Sequence, residues 1–315
     1  MKSKVLVGVG FLALVGLALF FRMKSNDSIK QIAVLIPGSV EFFAVQKKGL
    51  DQAAKEHRLK LIYADAEWDA AKQLSQVENF ITRKVDLLLV CSVDNLALKA
   101  IVPKAKTAGI PLMTFSNTIG DDPHGHYDGV IAHIGRDEIK GGELLGKMAE
   151  KILGNRSGKI LFVQGSPGTS AQRMREKGFM NVVKKHSNWK IVANHQITGW
   201  TKEGALNVVE DVLRSKNQVN LVVAQWWSAA ISAAQAIKES KHKIPVAGLE
   251  FSKELVPYMV RGEVVLSSYF SIIEEGYKAV DTAANYLMGK EFQKFVEIEP
   301  VIVSKDNVKQ FTPEL

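Results

Sequence analysis

Cysteine is almost missing from this sequence of 315 residues, which contains a single example. One thiol cannot form an intramolecular disulfide, and it cannot supply the several ligands of a cysteine-based metal centre. The single residue, Cys91, directly follows the apolar run 87–90. We therefore predict that Cys91 is a buried core residue and that the fold is held together without covalent cross-links.

Signatures of catalysis are also absent. The chain contains no G-x-S-x-G nucleophile motif, no H-E-x-x-H zinc motif, no P-loop and no dinucleotide fingerprint. The polar loop 121–128, with His133 beyond it, contains histidine and aspartate, but their spacing is irregular and no base is positioned beside them. These absences predict a protein that is not an enzyme and that has neither a cofactor nor a metal ion.

The excess of positive charge is small once the N-terminus is set aside. Of the formal net charge of +8, four charges belong to Lys2, Lys4, Arg22 and Lys24, which leaves +4 for the rest of the chain. A nucleic-acid-binding surface needs a stronger basic bias. We therefore predict no nucleic-acid partner.

The N-terminal segment is the first positive feature. Lys2 and Lys4 precede an apolar run that begins at Val5 and ends at Phe21. A basic start followed by such a run addresses a chain to a membrane translocase. About 17 apolar residues is also the lower limit for spanning a bilayer, so a removable signal peptide and a retained membrane anchor with its linker both fit residues 1–28. We expect an exported protein at the periplasmic or extracellular face of the cytoplasmic membrane.

Beyond this segment, short β-branched runs alternate with longer amphipathic stretches. The alternation is typical of βαβ units, in which helices connect parallel strands. The predicted strands are 32–36, 60–64, 87–90, 111–115, 159–163, 190–197, 221–224, 244–249 and 264–269. The predicted helices are 42–57, 70–83, 96–108, 140–153, 170–185, 202–214, 228–239 and 252–261.

Two such series follow each other, divided near Gly135. Roughly 290 residues exceed the comfortable size of a single hydrophobic core, which favours two lobes. No Pro/Ser-rich linker separates the series, so the chain should cross between the lobes more than once. The predicted fold class is α/β, with two doubly wound parallel-sheet lobes.

Short motifs spread over residues 30–308 resemble those of one protein family. The motifs are AVLI at 33–36, EFF at 41–43, KG at 48–49, DAAKQ at 69–73, AGIP at 108–111, GG at 141–142, GSPGTS at 165–170, KGF at 177–179 and AGLE at 247–250. Each motif is weak alone, but their order and spacing resemble those of the type I periplasmic sugar-binding proteins, and the ribose-binding branch most of all. Regulators of the lactose-repressor type share this fold but begin with a DNA-binding helix-turn-helix, where this chain has the predicted export segment.

The resemblance implies two lobes that are joined by a three-segment hinge and close over a ligand like a Venus flytrap. The crossings are expected near Ala132, near Phe270 and near residue 300. The ligand is expected in the cleft, where open α/β sheets bind solutes at the carboxyl ends of their strands. The expected lobes are 29–131 with 271–299, and 132–270 with 300–315.

Matching the family's binding positions to this sequence gives nine candidate ligand contacts. An aromatic ring can lie on the apolar face of a sugar, and a guanidinium offers a fixed fork of donors. Packing between the closed lobes is the alternative role for the rings, and Trp227 is expected to be structural because adjacent strand residues point to opposite faces. The candidates are Phe42, Phe43, Ser116, Asn117, Arg175, Trp200, Trp226, Glu250 and Phe270.

Several of these positions depart from the ribose-type pattern. Ser116 and Asn117 replace an acid and an arginine, and Trp226 replaces an asparagine. Phe270 replaces a polar hinge residue, whereas Glu250 stands for a hydroxyl-binding aspartate. Because rings have replaced hydrogen-bonding groups, the pocket suits a less hydroxylated ring, a heteroaromatic solute or an amine held by cation–π attraction.

Two functions fit these expectations. The first is a solute-binding protein for carbohydrate transport, which captures a sugar-like or flat, less polar small molecule and delivers it to an ABC importer. Its protein partner would be the transporter permease. The alternative is a periplasmic or membrane-anchored sensory receptor, whose partner would be the ectodomain of a kinase or chemoreceptor. An enzyme on the same fold is disfavoured, because no acid–base pair or nucleophile can be placed at the strand ends.

Overall fold

Two parallel-dominated β-sheets, each covered on both faces, organise the chain. The computed structural model describes residues 29–215 and 218–315. The predicted export segment, residues 1–28, lies outside this description. Within the described residues, no helix combines the length and the apolar character that crossing a bilayer requires.

The strands divide equally between the sheets. In chain order they are β1 Gln31–Ile36, β2 Lys60–Asp65, β3 Leu87–Val90, β4 Leu112–Phe115, β5 His133–Gly135, β6 Gly158–Gln164, β7 Trp189–Gln196, β8 Leu221–Ala224, β9 Val246–Gly248, β10 Val264–Tyr269, β11 Phe295–Glu297 and β12 Val301–Ser304. The first sheet has the order β11-β5-β4-β3-β1-β2 and only parallel pairs. The second has the order β12-β10-β9-β8-β6-β7, in which only the β10–β12 pair is antiparallel.

Helices connect the strands and cover the sheets. In chain order they are α1 Glu41–Glu56, α2 Ala70–Thr82, α3 Ile101–Ala108, α4 Glu138–Leu153, α5 Ser170–Val183, α6 Lys202–Arg214, α7 Trp227–Glu239, α8 Val256–Val260 and α9 Ile272–Leu287. The first sheet packs with α1, α2, α3 and α9, which together form the first lobe, and the second sheet packs with α4 to α8, which form the second lobe.

The buried strands show why parallel sheets of this kind are apolar throughout. In β3, Leu87 and Leu89 join the core on one side of the sheet, whereas Leu88 and Val90 join the core on the other side. Successive side chains of a strand point to opposite faces, so a strand with helices on both faces needs apolar residues at every position. Cys91 directly follows this strand and is fully buried, as predicted.

Some predicted elements are shorter than expected. The predicted helix 252–261 contains only α8, because Pro257 lacks a backbone N–H and stands in the first turn, where it fixes the start of the helix. The predicted strand 244–249 is limited to β9, which begins after Pro245. The predicted helix 96–108 opens with the 3₁₀ turn Ala97–Ala100 before α3.

Three segments connect the two sheets: the link from β5 to α4, the link from β10 to α9 and the link from β11 to β12. The last two lie near Phe270 and near residue 300. The first differs from expectation, because His133–Gly135 pairs with both β4 and β11 of the first sheet. The crossing therefore follows Gly135 instead of lying near Ala132, since a strand of three residues is too short to show a period in the sequence.

Glycine allows close helix packing in both lobes. A Cβ atom at Gly49 of α1 would lie 1.9 Å from the carbonyl oxygen of Ile273 in α9. In the second lobe, a Cβ atom at Gly142 of α4 would lie 2.1 Å from the carbonyl oxygen of Arg175 in α5. Because backbone atoms cannot yield as a flexible side chain does, each contact requires the absence of a side chain.

Gly142→Ala is expected to destabilise the protein by about 1–3 kcal/mol, because the added methyl group would separate α4 from α5. At an unhindered helix position the same change would stabilise by roughly 1 kcal/mol, so a loss isolates the packing effect. Thermal unfolding followed by circular dichroism measures it. Lys147→Ala, at an exposed position of the same helix, is the control and should melt like the wild type. Equal melting of the Gly142 variant and the control would contradict the packing argument.

Candidate functional site

A cavity of about 270 Å³ lies between the two lobes, at the carboxyl ends of the strands. Its volume is close to the lower end of ligand pockets, roughly 300 Å³, which fits a solute with one ring. The first lobe contributes Val40, Glu41, Phe42, Phe43, Trp68, Ser116, Asn117 and Arg136. The second lobe contributes Ala171, Arg175, Trp200, Lys202, Trp226, Trp227, Ser228 and Glu250.

Eight of the nine residues proposed from the sequence line this cavity: Phe42, Phe43, Ser116, Asn117, Arg175, Trp200, Trp226 and Glu250. Phe270 does not line it and lies in the layer behind. Its ring is 6.3 Å from that of Phe42, and the guanidinium of Arg136 lies 4.1 Å from its centroid. Phe270 therefore supports lining residues instead of facing the cavity.

Trp227 was expected to be structural but lines the cavity as well. That expectation assumed a strand, whereas β8 ends at Ala224 and Trp227 is the first residue of α7. At the start of a helix, neighbouring residues are not held on opposite faces. The rings of Trp226 and Trp227 therefore both reach the cavity.

Aromatic rings form much of the wall. Trp200 and Trp226 lie edge to face, with centroids 5.3 Å apart and planes at 85°. Phe42 and Phe43 form a second edge-to-face pair at 5.3 Å. The indole N–H of Trp226 donates to Ser228 Oγ at 2.7 Å, which fixes the orientation of that ring. The wall thus offers flat apolar surfaces in two orientations.

Four lining residues have left-handed backbone conformations, with φ of 63° at Trp68, 54° at Ser116, 56° at Trp200 and 69° at Glu250. This region is unfavourable for residues other than glycine, and each such position costs of order 1–3 kcal/mol. Conformations of this kind cluster at functional sites, where the surrounding structure holds them. Their presence around one cavity supports a functional role for it.

Arg175 is completely occupied by protein acceptors. Its Nε and Nη2 donate to the two carboxylate oxygens of Glu138 at 2.7 and 3.0 Å. Nη1 donates to the carbonyl oxygen of Gln225 at 2.5 Å, and both Nη1 and Nη2 donate to Glu250 Oε1 at 3.3 Å. A guanidinium has five N–H donors, and these five bonds use all of them. Arg175, a candidate contact from the sequence, lines the cavity, but its donors are directed into the protein.

A second arginine, Arg136, was missed by the sequence analysis. Its Nε and Nη2 donate to Glu138 Oε1 at 3.1 and 2.8 Å, and its Nη1 donates to Glu275 Oε2 at 2.9 Å. Gln46 Nε2 donates to Glu275 and to Ser116 Oγ, which in turn donates to Glu275 Oε1 at 3.2 Å. Three charged residues were missed, Arg136, Glu138 and Glu275, and the last lies more than a hundred residues from the other two. Arg136 and Glu138 follow a strand too short to predict, and Glu275 lies in α9, which was not predicted.

The ionised side chains form one buried row: Glu250, Arg175, Glu138, Arg136 and Glu275, each no more than 7 % exposed. Burial raises the pKa of Glu138, but the neighbouring guanidinium groups more than offset it and lower that pKa to about 2. Burial raises the pKa of Glu250 and of Glu275, and the guanidinium groups do not offset it fully. The two ends of the row are therefore the carboxyl groups that ionise with the greatest difficulty.

Asn117 connects the lobes across the cavity. Its Oδ1 accepts hydrogen bonds from the Ala171 backbone N–H and from Ser170 Oγ, both at 3.3 Å, at the start of α5. The Ser170 hydroxyl oxygen also accepts from the backbone N–H of Thr118 at 2.9 Å. These bonds satisfy donors at a helix N-terminus, so the GSPGTS loop serves as a capped turn that receives the opposite lobe.

The polar loop 121–128 does not contribute to the cavity. Ligand atoms of Asp122, His124 and His126 lie within 4.8 Å of one another. However, His124 Nε2 bonds Asp137 Oδ2 at 3.1 Å, and its ring stacks on Phe295 with centroids 4.6 Å apart. These contacts explain the arrangement of the loop as a cover for the edge of the first sheet.

Sequence comparison identifies related proteins with known roles. A family model described as a periplasmic binding protein domain matches residues 32–291. The ribose import binding protein RbsB of Bacillus subtilis is 29% identical over 255 residues, which are 81% of this chain and 80% of that protein. The xylitol-binding protein of Mycolicibacterium smegmatis is 27% identical over 290 residues, which are 90% of this chain and 80% of that protein.

Solved structures share the architecture. An ABC transporter solute-binding protein from Bacillus halodurans, with bound myo-inositol, has a TM-score of 0.83 at 26% identity and covers 91% of this chain and 98% of its own. A galactofuranose binding protein has a TM-score of 0.81 at 22% identity, and the match covers 89% of this chain and 96% of that protein. At this identity the likeness is evidence for a shared fold and for nothing more. The predicted fold class is confirmed. These relatives are solute-binding proteins, which confirms the prediction that the chain is not an enzyme.

Glu138→Gln and Glu250→Gln are expected to affect stability differently at pH 7. The first removes the carboxylate shared by two buried guanidinium groups, and breaking such a pair costs about 3–5 kcal/mol. The second neutralises a carboxyl group whose pKa is raised in the fold, so its ionised form opposes folding and its loss should not lower stability. Differential scanning calorimetry would measure both melting temperatures, and equal losses would contradict this assignment of charges.

The loss of stability in the Glu138 variant should also depend on pH in a defined direction. The fold lowers the pKa of the Glu138 carboxyl group. Its contribution to the stability of the wild type is therefore fully present above pH 4.5 and is lost as the pH falls towards about 2. The gap in melting temperature between wild type and variant should therefore narrow over that interval. A gap that widens as the pH falls would show that the carboxylate is not stabilised by its neighbours.

Proposed function

Because the chain belongs to the periplasmic binding protein domain family, we propose that it is an extracytoplasmic solute-binding protein that delivers a small molecule to an ABC importer. The observation that carries the proposal is the cavity between the lobes, to which strand ends of both sheets contribute. A solute in this position touches both lobes and therefore stabilises the closed arrangement. An importer permease can then distinguish the loaded protein from the empty one.

The two lobes are proposed to move as rigid bodies about the three connecting segments. Glycine-mediated contacts hold α1 against α9 and α4 against α5, so each lobe has its own closely packed interior. Several hydrogen bonds between the lobes, by contrast, lie in loops, such as those from Asn117 to the start of α5. Such bonds can be exchanged for water at little cost, as hinge motion requires.

The solute is proposed to be sugar-like, or flatter and less polar than a simple sugar. Proteins similar to this chain are named for ribose and xylitol, and one contains bound myo-inositol. The cavity matches a ring of that size. A solute with fewer hydroxyl groups is favoured, because the wall contains the rings of Phe42, Trp200 and Trp226. The N–H donors of Arg175 are already bonded to protein acceptors and are not free for solute hydroxyl groups.

Export is part of the proposal. The basic start and the apolar run from Val5 to Phe21 would take the binding lobes across the cytoplasmic membrane, either with later cleavage or as a permanent anchor. The same run supports the second candidate, a sensory receptor, because a retained anchor would hold the closed form beside the ectodomain of a kinase or chemoreceptor. Uptake of a radiolabelled solute that persists after deletion of the gene, together with loss of a response to it, would favour the receptor.

A thermal-shift screen of the full chain in mild detergent is expected to reveal a stabilising solute among pentoses, hexoses, polyols, nucleosides, amines and aromatic acids. A ligand at 100 times its Kd stabilises by about 2.7 kcal/mol. Trp200→Ala should weaken binding of that solute by about 2 kcal/mol, which raises its Kd roughly 30-fold. Trp200→Phe should retain most of the affinity, because a ring remains. Unchanged affinity in the alanine variant would remove Trp200 from the site.

A further inference from the structure

The buried row of charges is unbalanced. It contains the carboxylates of Glu138, Glu250 and Glu275 but only the guanidinium groups of Arg136 and Arg175, which leaves one negative charge in excess when all are ionised. An uncompensated charge in a protein interior is costly unless a partner reaches it. Each of these five side chains is buried, so water compensates the excess poorly.

The excess is located where the row meets the cavity. Of the three carboxylates, only Glu250 lines the cavity. Its Oε1 accepts two long bonds of 3.3 Å from Arg175, a guanidinium already bound more closely to Glu138. Across residues 29–215 and 218–315, Glu250 Oε2 accepts no hydrogen bond. One carboxylate oxygen is thus available as an acceptor, with no spare donor on Arg175 beside it.

The surroundings of Glu250 suit a cation. The wall includes the four indole rings of Trp68, Trp200, Trp226 and Trp227. The negative face of an indole ring attracts an ammonium ion, and the attraction grows when water is removed. The other charged lining residues do not oppose a cation. Glu41 is a further acid, the Lys202 ammonium is paired with Glu254, and Arg136 is bound between Glu138 and Glu275.

We infer that the solute is a small ring compound with a protonated amino group, which donates to Glu250 and lies against the indole rings of Trp200 and Trp226. The inference rests on the proposed function, because it requires a solute in this cavity. A cationic solute would distinguish this chain from its relatives named for ribose and xylitol, because those two solutes are uncharged. The raised pKa of Glu250 agrees with it, since an entering cation supplies the compensation that burial denies to the carboxylate.

Matched pairs of solutes test the inference by isothermal titration calorimetry on the full chain in mild detergent at pH 7. The pairs are D-glucosamine with D-glucose, cyclohexylamine with cyclohexanol, and 2-phenylethylamine with 2-phenylethanol. In at least one pair the amine is expected to bind with a Kd at least tenfold below that of its neutral partner. Each pair has nearly the same shape, so the ratio reports the charge.

The variant Glu250→Gln should lose the preference for the amine, because its amide is nearly isosteric but uncharged. Glu291→Gln makes the same change of charge at an exposed position outside the cavity lining and should keep the preference. Binding of the neutral solutes to the Glu250 variant shows that its cavity is intact. Loss of amine binding with retention of neutral binding supports the inference.

Two results would overturn it in distinguishable ways. If neutral rings bind at least as tightly as amines, or if Glu250→Gln keeps the preference, the solute is not recognised as a cation while the proposed solute-binding function stands. If no member of any pair, and no sugar or polyol, binds to protein that melts cooperatively, the proposed function fails together with the inference.

Discussion

The site depends on the ionic hydrogen bonds that the carboxylate of Glu138 accepts from two buried arginines. This carboxylate receives hydrogen bonds from Arg136, which follows a strand of the first sheet, and from Arg175, which lies in a helix of the second lobe. Glu138 itself is the first residue of α4, where the chain passes from one sheet to the other. Because Asp137 caps this helix through the N–H groups of Ile139 and Lys140, the carboxylate is held at the hinge. The ionic contacts of Glu138 therefore lie at one of the segments where the chain crosses between the lobes.

The bonds of Arg175 differ from those of an arginine that binds a ligand directly. Arginine recognises hydroxyl and carboxylate groups when its donors face the ligand. Here the donors of Arg175 are turned towards protein acceptors, and the cavity wall includes the carboxylate of Glu250 among aromatic rings. Neighbouring acids therefore decide where the donors of this arginine point.

Much of the architecture could be predicted from the sequence because its signals are local. Runs such as 87–90 are apolar at every position, which is the requirement of a strand covered on both faces. Eight of nine candidate residues line the cavity because strand ends of a parallel sheet meet at one edge. The failures have equally physical causes. His133–Gly135 is too short to show a period, and with it Arg136 and Glu138 were overlooked. Their partner Glu275 lies more than a hundred residues away, and only the folded chain brings these charges together.

The left-handed conformations around the cavity have a consequence for the evolution of the protein. Trp68, Ser116, Trp200 and Glu250 each hold a backbone geometry that glycine or asparagine would adopt with less strain. Selection for resistance to heat alone would therefore favour replacements at these four positions, and every gain would change a side chain of the cavity wall. Backbone strain of this kind is tolerated where the side chains serve a site and not stability. In a laboratory search for hardier variants, these positions are the ones to leave unchanged.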